Sequence, residues 1–194
     1  MKLKKQVVIE GNVAIPHETI TLVGYRHQSK LIARAKVLGN FDCFQTNITS
    51  LEQGPSHVGD YFSCSATKIT SLKQGPSYVG GGFSCSATKI TSLEGGPSYV
   101  GGNFYCGNTK ITSLHNIHKE IKYIGRMLSL SNTIKSHILG VMFIKGLQRI
   151  EFHLGNIEQK QVERIINKHL AGDRNIHLAQ EELIEAGLVE FAKL

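Results

Sequence analysis

Between residues 41 and 114 the apolar residues fall on a grid. Phe41, Phe62, Phe83 and Phe104 are 21 residues apart, and so are Cys43, Cys64, Cys85 and Cys106. Ile48, Ile69, Ile90 and Ile111 form a third row, and Leu51, Leu72, Leu93 and Leu114 a fourth. A fixed period of this length marks a solenoid, in which each repeat is one supersecondary unit that buries its apolar face only by stacking on its neighbours. Phe and Cys are two residues apart, so in an extended segment both side chains reach the same face. Phe-x-Cys is therefore predicted as the inward face of a short strand. Ile and Leu follow at spacings that suit a turning, non-strand arc. Gly54-Pro55, Gly75-Pro76 and Gly96-Pro97 break any helix and return the chain. Val58, Val79 and Val100 are predicted as the last inward residues before the next strand.

Weaker repeats flank this centre. Ile124-Gly-Arg-Met-Leu128-Ser-Leu130-Ser-Asn-Thr133 keeps the pattern, with Leu130 in the place of Cys. The return from Leu114 to Ile124 is three residues longer than that from Leu93 to Val100. Ile138–Ile144 and Leu147–Phe152 read as one more degenerate turn. Before the array, Gln6–Glu10 and Thr19–Val23 read as short strands of an N-terminal cap. After it the period changes. Ile157, Val162, Ile165, Ile166 and Leu170 fit a helix face closed by Gly172. Leu178, Leu183, Ile184, Leu188 and Phe191 fit a second helix, with Glu181, Glu182 and Glu185 placed near its start, where negative charge suits the helix dipole. Three regions follow: residues 1–36 as an N-terminal β cap, 37–154 as the repeat array and 155–194 as a C-terminal helical cap.

The repeat Phe-x-Cys-x-x-Thr-x-Ile-x-x-Leu resembles the leucine-rich repeat phrase, with Thr46, Thr67, Thr88 and Thr109 where that family has its ladder asparagine. A buried hydroxyl there is expected to hydrogen-bond backbone groups at the turn after the strand. The repeat is short for the family and leaves no room for a full convex helix. The resemblance implies an α/β repeat solenoid of parallel strands with short convex segments. Residues 95–114, Gly-Gly-Pro-Ser-Tyr-Val-Gly-Gly-Asn-Phe-Tyr-Cys-Gly-Asn-Thr-Lys-Ile-Thr-Ser-Leu, resemble repeats of uncharacterised proteins of large tailed bacteriophages. Val162-Glu-Arg-Ile-Ile-Asn-Lys and Gln180-Glu-Glu-Leu-Ile-Glu-Ala-Gly-Leu are similar to the ending such proteins carry. That resemblance implies a phage-encoded protein that acts in a bacterial cytoplasm, binding a host enzyme or defence complex and changing its activity.

Charge sharpens the picture. The net charge is +7, but residues 1–36 hold seven Lys/Arg against two acids and residues 115–154 hold six against two, while residues 37–114 are balanced and residues 155–194 are slightly acidic. Basic patches therefore flank the regular array, and they could meet nucleic acid or an acidic protein. No apolar run is long enough to span a membrane, and Met-Lys-Leu-Lys-Lys is not followed by the apolar stretch of a signal peptide. A soluble cytosolic chain with reduced thiols is the expectation.

Candidate chemistry is sparse. Four stacked cysteines form a line, whereas tetrahedral zinc needs converging ligands, so neither metal nor other cofactor is expected. Parallel inward side chains also argue against disulfides. His115 and His118 share the longer return, but no Asp or Cys is fixed beside them. The glycine runs belong to repeat turns and open no helix, so no phosphate-cradling loop is expected. No nucleophile is paired with a base, and the chain reads as a non-enzyme. Outward strand positions, among them Tyr61, Ser63, Ser65, Ser84, Tyr105 and Met127, give a weakly charged surface suited to shape-based contact with a protein. The expected function is a protein–protein interaction module, with Tyr61, Tyr105 and Met127 and the loop residues His115, His118, Lys119 and Lys122 as contact candidates. Alternatives are nucleic-acid binding through Lys2, Lys4, Lys5, Arg26, Lys30, Arg34 and Lys36, or a structural role in the virion.

Overall fold

A computed structural model describes residues 6–194. Strands β1 (Val8–Ile9) and β2 (Val13–Ala14) open the first coil, and a hairpin of β3 (Arg26–His27) and β4 (Lys30–Leu31) follows. Each later coil contributes two short strands: β5 (Lys36–Val37) and β6 (Phe41–Asp42), β7 (His57–Val58) and β8 (Phe62–Ser63), β9 (Tyr78–Val79) and β10 (Phe83–Ser84), β11 (Tyr99–Val100) and β12 (Phe104–Tyr105). The short helix α1 (Ile117–Glu120) precedes β13 (Tyr123–Ile124) and β14 (Met127–Ser131), and β15 (Arg149–His153) ends the coils. All coil-to-coil pairing is parallel and in register, so that Phe41 faces Phe62, Phe62 faces Phe83 and Phe83 faces Phe104. The result is a parallel β-solenoid with two sheets. One runs β1-β5-β7-β9-β11-β13, and the other runs β2-β6-β8-β10-β12-β14-β15.

The second sheet was not legible in the repeat. Val58, Val79 and Val100 do not simply end the return; they belong to a sheet of their own, with Val58 facing Val79 and Val79 facing Val100. Conversely, Thr19–Val23 is not a strand. The Thr19 carbonyl accepts the Asn47 N–H just as the Ile48 carbonyl accepts that of Lys68, so this segment is the first coil's version of the Ile-to-Leu arc.

The interior is a set of ladders. Phe41, Phe62, Phe83 and Phe104 lie with ring centroids 5.6, 5.2 and 4.8 Å apart. The cysteines are buried free thiols. Each points at a carbonyl of the next coil, Cys43 to Ser63 at 3.0 Å and Cys106 to Ser129 at 3.0 Å. Burial pushes the Cys106 thiol up to about 12, which keeps it protonated and inert at neutral pH. The threonine row closes the corner as its position suggests: the hydroxyls of Thr46, Thr67, Thr88 and Thr109 donate to the carbonyls of Cys43, Cys64, Cys85 and Cys106 at 2.7 to 3.0 Å. That corner needs a left-handed residue, and Gln45, Ala66, Ala87 and Asn108 take it with φ of 54° to 56°.

Gly59, Gly80, Gly101 and Gly125 occupy the other corner. A Cβ at any of them would lie 1.9 to 2.0 Å from a carbonyl oxygen of the preceding coil. The long return after Leu114 is explained by α1, which packs Ile117 into the core.

Helix α2 (Ile157–Ala171) covers the last coil, and α3 (Ile176–Glu185) packs on α2. Asn156 caps α2 in a capping box with Gln159. Its side chains replace a missing strand: Asn167 accepts the Ile150 N–H at 2.7 Å and donates to the Ile150 carbonyl at 2.9 Å, and Glu163 accepts the Phe152 N–H at 2.9 Å. Two expectations fail here. Ile157 stands 90% exposed at the helix start rather than on its buried face. Glu181, Glu182 and Glu185 lie in the second half of α3, because the helix begins at Ile176 behind the Asn175 cap, and Leu188 and Phe191 are buried beyond its end.

Two stability tests follow from the corners and the cap. Gly80→Ala should cost about 3 kcal/mol or more in urea unfolding, since overpacking against backbone finds no relief, whereas Ala66→Gly and Ala87→Gly should each gain about 0.5–1 kcal/mol by removing left-handed strain. Asn167→Leu should lose about 2 kcal/mol, because it leaves a strand N–H and C=O unpaired beneath a helix; an unchanged midpoint would show that water substitutes for the asparagine.

Candidate functional site

The outer face of the larger sheet carries three parallel rows. Register puts Tyr61, Gly82, Asn103, Met127 and Arg149 in one row and Asp42, Ser63, Ser84, Tyr105, Ser129 and Glu151 in the next. The third row lies two residues further along each coil. Tyr61 leans over the bare backbone of Gly82, where a Cβ would come within 3.0 Å of its ring. Its hydroxyl meets Ser84, and burial raises its pKa. Ser63, Ser65 and Ser84 are consequently buried and do not line the surface as the alternation suggested; Ser65 and Ser84 share a hydrogen bond of 2.6 Å.

Tyr105 stands as a ridge, its hydroxyl accepting from the Asn103 amide at 2.7 Å. On one side a hollow of about 250 Å³ is lined by Tyr61, Gly82, Gly102, Asn103, Tyr105 and Arg126. It adjoins a second of about 400 Å³ formed with Met127, Gln148 and Arg149. On the other side of the ridge a hollow of about 270 Å³ lies between Ser86, Gly107, Ser129 and His153. Arg126 and Arg149 are exposed and, among the described residues, form no ion pair.

Tyr61, Tyr105 and Met127 thus share one face. Asn103, an outward strand position by the same alternation, joins them, and so do Arg126, Gln148 and Arg149; sequence reasoning passed over these last three because they sit in the degenerate repeats. The parallel register is the signal that would have found them.

The loop candidates lie elsewhere, on the Ile-to-Leu arc around α1. His118 packs against Phe143 with centroids 5.1 Å apart, and its Nδ1 is buried without a hydrogen-bond partner among the described residues. Lys122 donates to the His118 carbonyl at 3.0 Å, Lys119 is exposed, and His115 Nδ1 lies 3.2 Å from the Leu194 carbonyl oxygen. The His137 ring is shared between the hydroxyls of Ser113 and Ser136 at 3.0 and 2.9 Å. Among the described residues no carboxylate hydrogen-bonds that ring, and no group of three metal-ligating side chains converges. The basic N-terminal set is scattered. Lys2, Lys4 and Lys5 lie outside the described residues. Arg26 donates to the Ser29 carbonyl and Lys30 to that of Val8, Arg34 is exposed, and Lys36 stands beside His57 in the smaller sheet.

That smaller sheet carries a feature absent from the sequence reading: His57, Tyr78, Tyr99 and Tyr123 stack with centroids 4.3, 4.7 and 4.6 Å apart and planes within 6°. Their faces are spent on each other, so the ladder stiffens the coils and leaves only ring edges outward. No described helix is long and apolar enough to cross a membrane.

Burial lowers the pKa of His118, and so do the nearby charges of Lys119 and Lys122; burial also lowers those of His57 and His137. A histidine held below its ordinary value of 6.5 takes its proton more readily in the unfolded chain. Stability should therefore fall as pH drops through about 6.5, and His118→Phe should flatten part of that fall in urea titrations between pH 7.5 and 5.5. Superimposable pH profiles would place the acid sensitivity outside α1. No family model matches this chain, and neither a curated protein nor a solved structure matches it, so the likeness of its repeats to phage proteins stands on the sequence phrases alone.

Proposed function

We propose that this chain is a non-catalytic protein–protein interaction module whose contact surface is the outer face of the larger sheet. One observation carries the reading. On an otherwise repetitive rod, two tyrosines, a methionine and two arginines with no ion pair among the described residues gather around adjoining hollows. Tyrosine, methionine and arginine are the residue types enriched where proteins meet, and a rigid scaffold spares them ordering entropy on binding. On the resemblance of its repeats, the chain is a phage-encoded factor acting in the bacterial cytoplasm, where it binds a host protein such as a defence complex and inhibits or modulates it.

Nucleic-acid binding through the basic ends is the competing reading. Its support is the surplus of Lys and Arg in residues 1–36 and 115–154. Such binding would weaken steeply with salt and would tolerate loss of Tyr61 or Met127.

The two readings separate on one set of variants. With partners captured from bacterial lysate and identified by mass spectrometry, Arg126→Glu with Arg149→Glu should weaken capture at least ten-fold. Lys119→Glu with Lys122→Glu should leave it unchanged if α1 lies outside the contact. A complex released by nuclease treatment, with Arg126→Glu and Arg149→Glu still bound, would sink the protein-binding reading.

A further inference from the structure

The glycines along the corner between the two sheets are not equivalent. Gly59, Gly80, Gly101 and Gly125 are dictated by packing, since these four successive coils all have glycine there and a Cβ would overlap a carbonyl. The next two rows are different. Backbone pairing places Asp60, Gly81, Gly102 and Arg126 in one row, and Tyr61, Gly82, Asn103 and Met127 in the other. The first row carries side chains at Asp60 and Arg126 and loses them at Gly81 and Gly102, while the second is bare only at Gly82 and regains a side chain at Asn103. The two middle coils therefore form the floor of a trough that crosses the strands, with an acidic wall at Asp60 and a basic wall at Arg126 and Arg149. Asn103 and Tyr105 stand along its side.

Resting on the protein-binding reading above, we propose that this trough seats an extended peptide segment of a partner protein. The segment lies along the solenoid axis with a carboxylate held by Arg126 and Arg149 and a cationic side chain facing Asp60. Arginine presents a planar fork that matches a carboxylate bidentately, and both arginines lack a partner among the described residues. Span sets the spacing. Asp60 and Arg126 are three coils apart, roughly 14 Å at the ordinary separation of paired strands, which an extended chain covers in about four residues. The charges on the bound segment are thus an acid and a base about four positions apart.

Polynucleotide is the wrong occupant for this trough. A phosphate backbone is held by many cations along its path, whereas here Asp60 closes one end and Glu151, exposed in the row of Tyr105 and Ser129, flanks the other.

Selection of a yeast-displayed library of random 12-residue peptides against the full chain tests the assignment. Enriched peptides should share an Asp or Glu and a Lys or Arg about four residues apart in one fixed order, and Arg126→Glu should weaken them at least ten-fold. Combining Asp60→Arg with Arg126→Asp and Arg149→Gln, all at exposed positions, should select the opposite order. Enrichment of peptides without the charge pair, an order unchanged by the swap, or no enrichment at all would overturn the proposal. So would retention of single-stranded oligodeoxythymidylate in a gel shift that Arg126→Glu abolishes. Failure of the trough alone is separable from failure of the broader reading. If the swapped variant still captures the parent's protein partner from lysate, the chain remains a binding module and the trough is not its seat.

Discussion

The closeness of successive coils constrains everything else in this protein. Parallel strands pair at a spacing fixed by the backbone hydrogen bond, and at one corner of four successive coils the chain passes so near the preceding coil that only hydrogen fits on the α-carbon. Gly59, Gly80, Gly101 and Gly125 satisfy that contact. Once they do, register follows: Phe stacks on Phe, Cys on Cys and Val on Val, and each strand can be two residues long because the ladders on every face hold it in place. A slip by one coil position would set a side chain against a carbonyl. A slip by one residue would turn Phe and Cys outward.

The same repetition creates a difficulty at the ends, where a stack exposes its apolar cross-section and a row of unpaired strand groups. At the C-terminal end α2 resolves both. Its apolar residues Val162, Ile165 and Ile166 cover the core, while Asn167 and Glu163 meet the edge of β15 with the hydrogen bonds that another strand would have supplied. Gln159 does the same for the arc, donating to the carbonyls of Asn132 and Ile134 at 2.7 and 2.9 Å. Arg174 reaches the carbonyls of Met142, Ile144 and Leu147. At the opposite end the described edge strands β1 and β2 are only two residues long, and Lys30 occupies the Val8 carbonyl.

How much of this could be read from residues alone depends on which force fixed each element. The inner rows were legible because burial acts on residue type: Phe, Cys, Ile and Leu at constant spacing have no other economical explanation, and all of them are buried. The threonine corner was legible because a buried hydroxyl must find an acceptor. The second sheet was not, because a two-residue strand such as His57–Val58 has no alternation to display and is defined only by its neighbours. Helix limits slipped for a similar reason. Ile157, Leu178 and Ile184 continue an apolar periodicity into exposed positions, whereas the asparagine caps at Asn156 and Asn175 set where the helices begin. Tyr61, Tyr105 and Met127 could be placed on one face from alternation. Arg126 and Arg149 could not, since their company depends on knowing that residue 126 stacks beside residue 102 and residue 149 beside residue 127.

Recognition by such a scaffold differs from recognition by a mobile loop. The outward rows are set by backbone ladders on both sides, Tyr61 is seated over Gly82, and the Tyr105 hydroxyl is held by Asn103, so the surface is ordered before anything binds. Little conformational entropy remains to be lost on association, and modest contacts can therefore suffice. The cost is adaptability: a groove whose walls are spaced by whole coils accepts only ligands whose groups match that spacing. Specificity in a solenoid consequently resides in where the repeat is broken, because an unbroken row offers every ligand several equivalent registers. The replacement of Asp60 and Tyr61 by glycines in the following coil, and the return of side chains at Asn103 and then at Arg126 and Met127, remove that degeneracy and leave one register on this face.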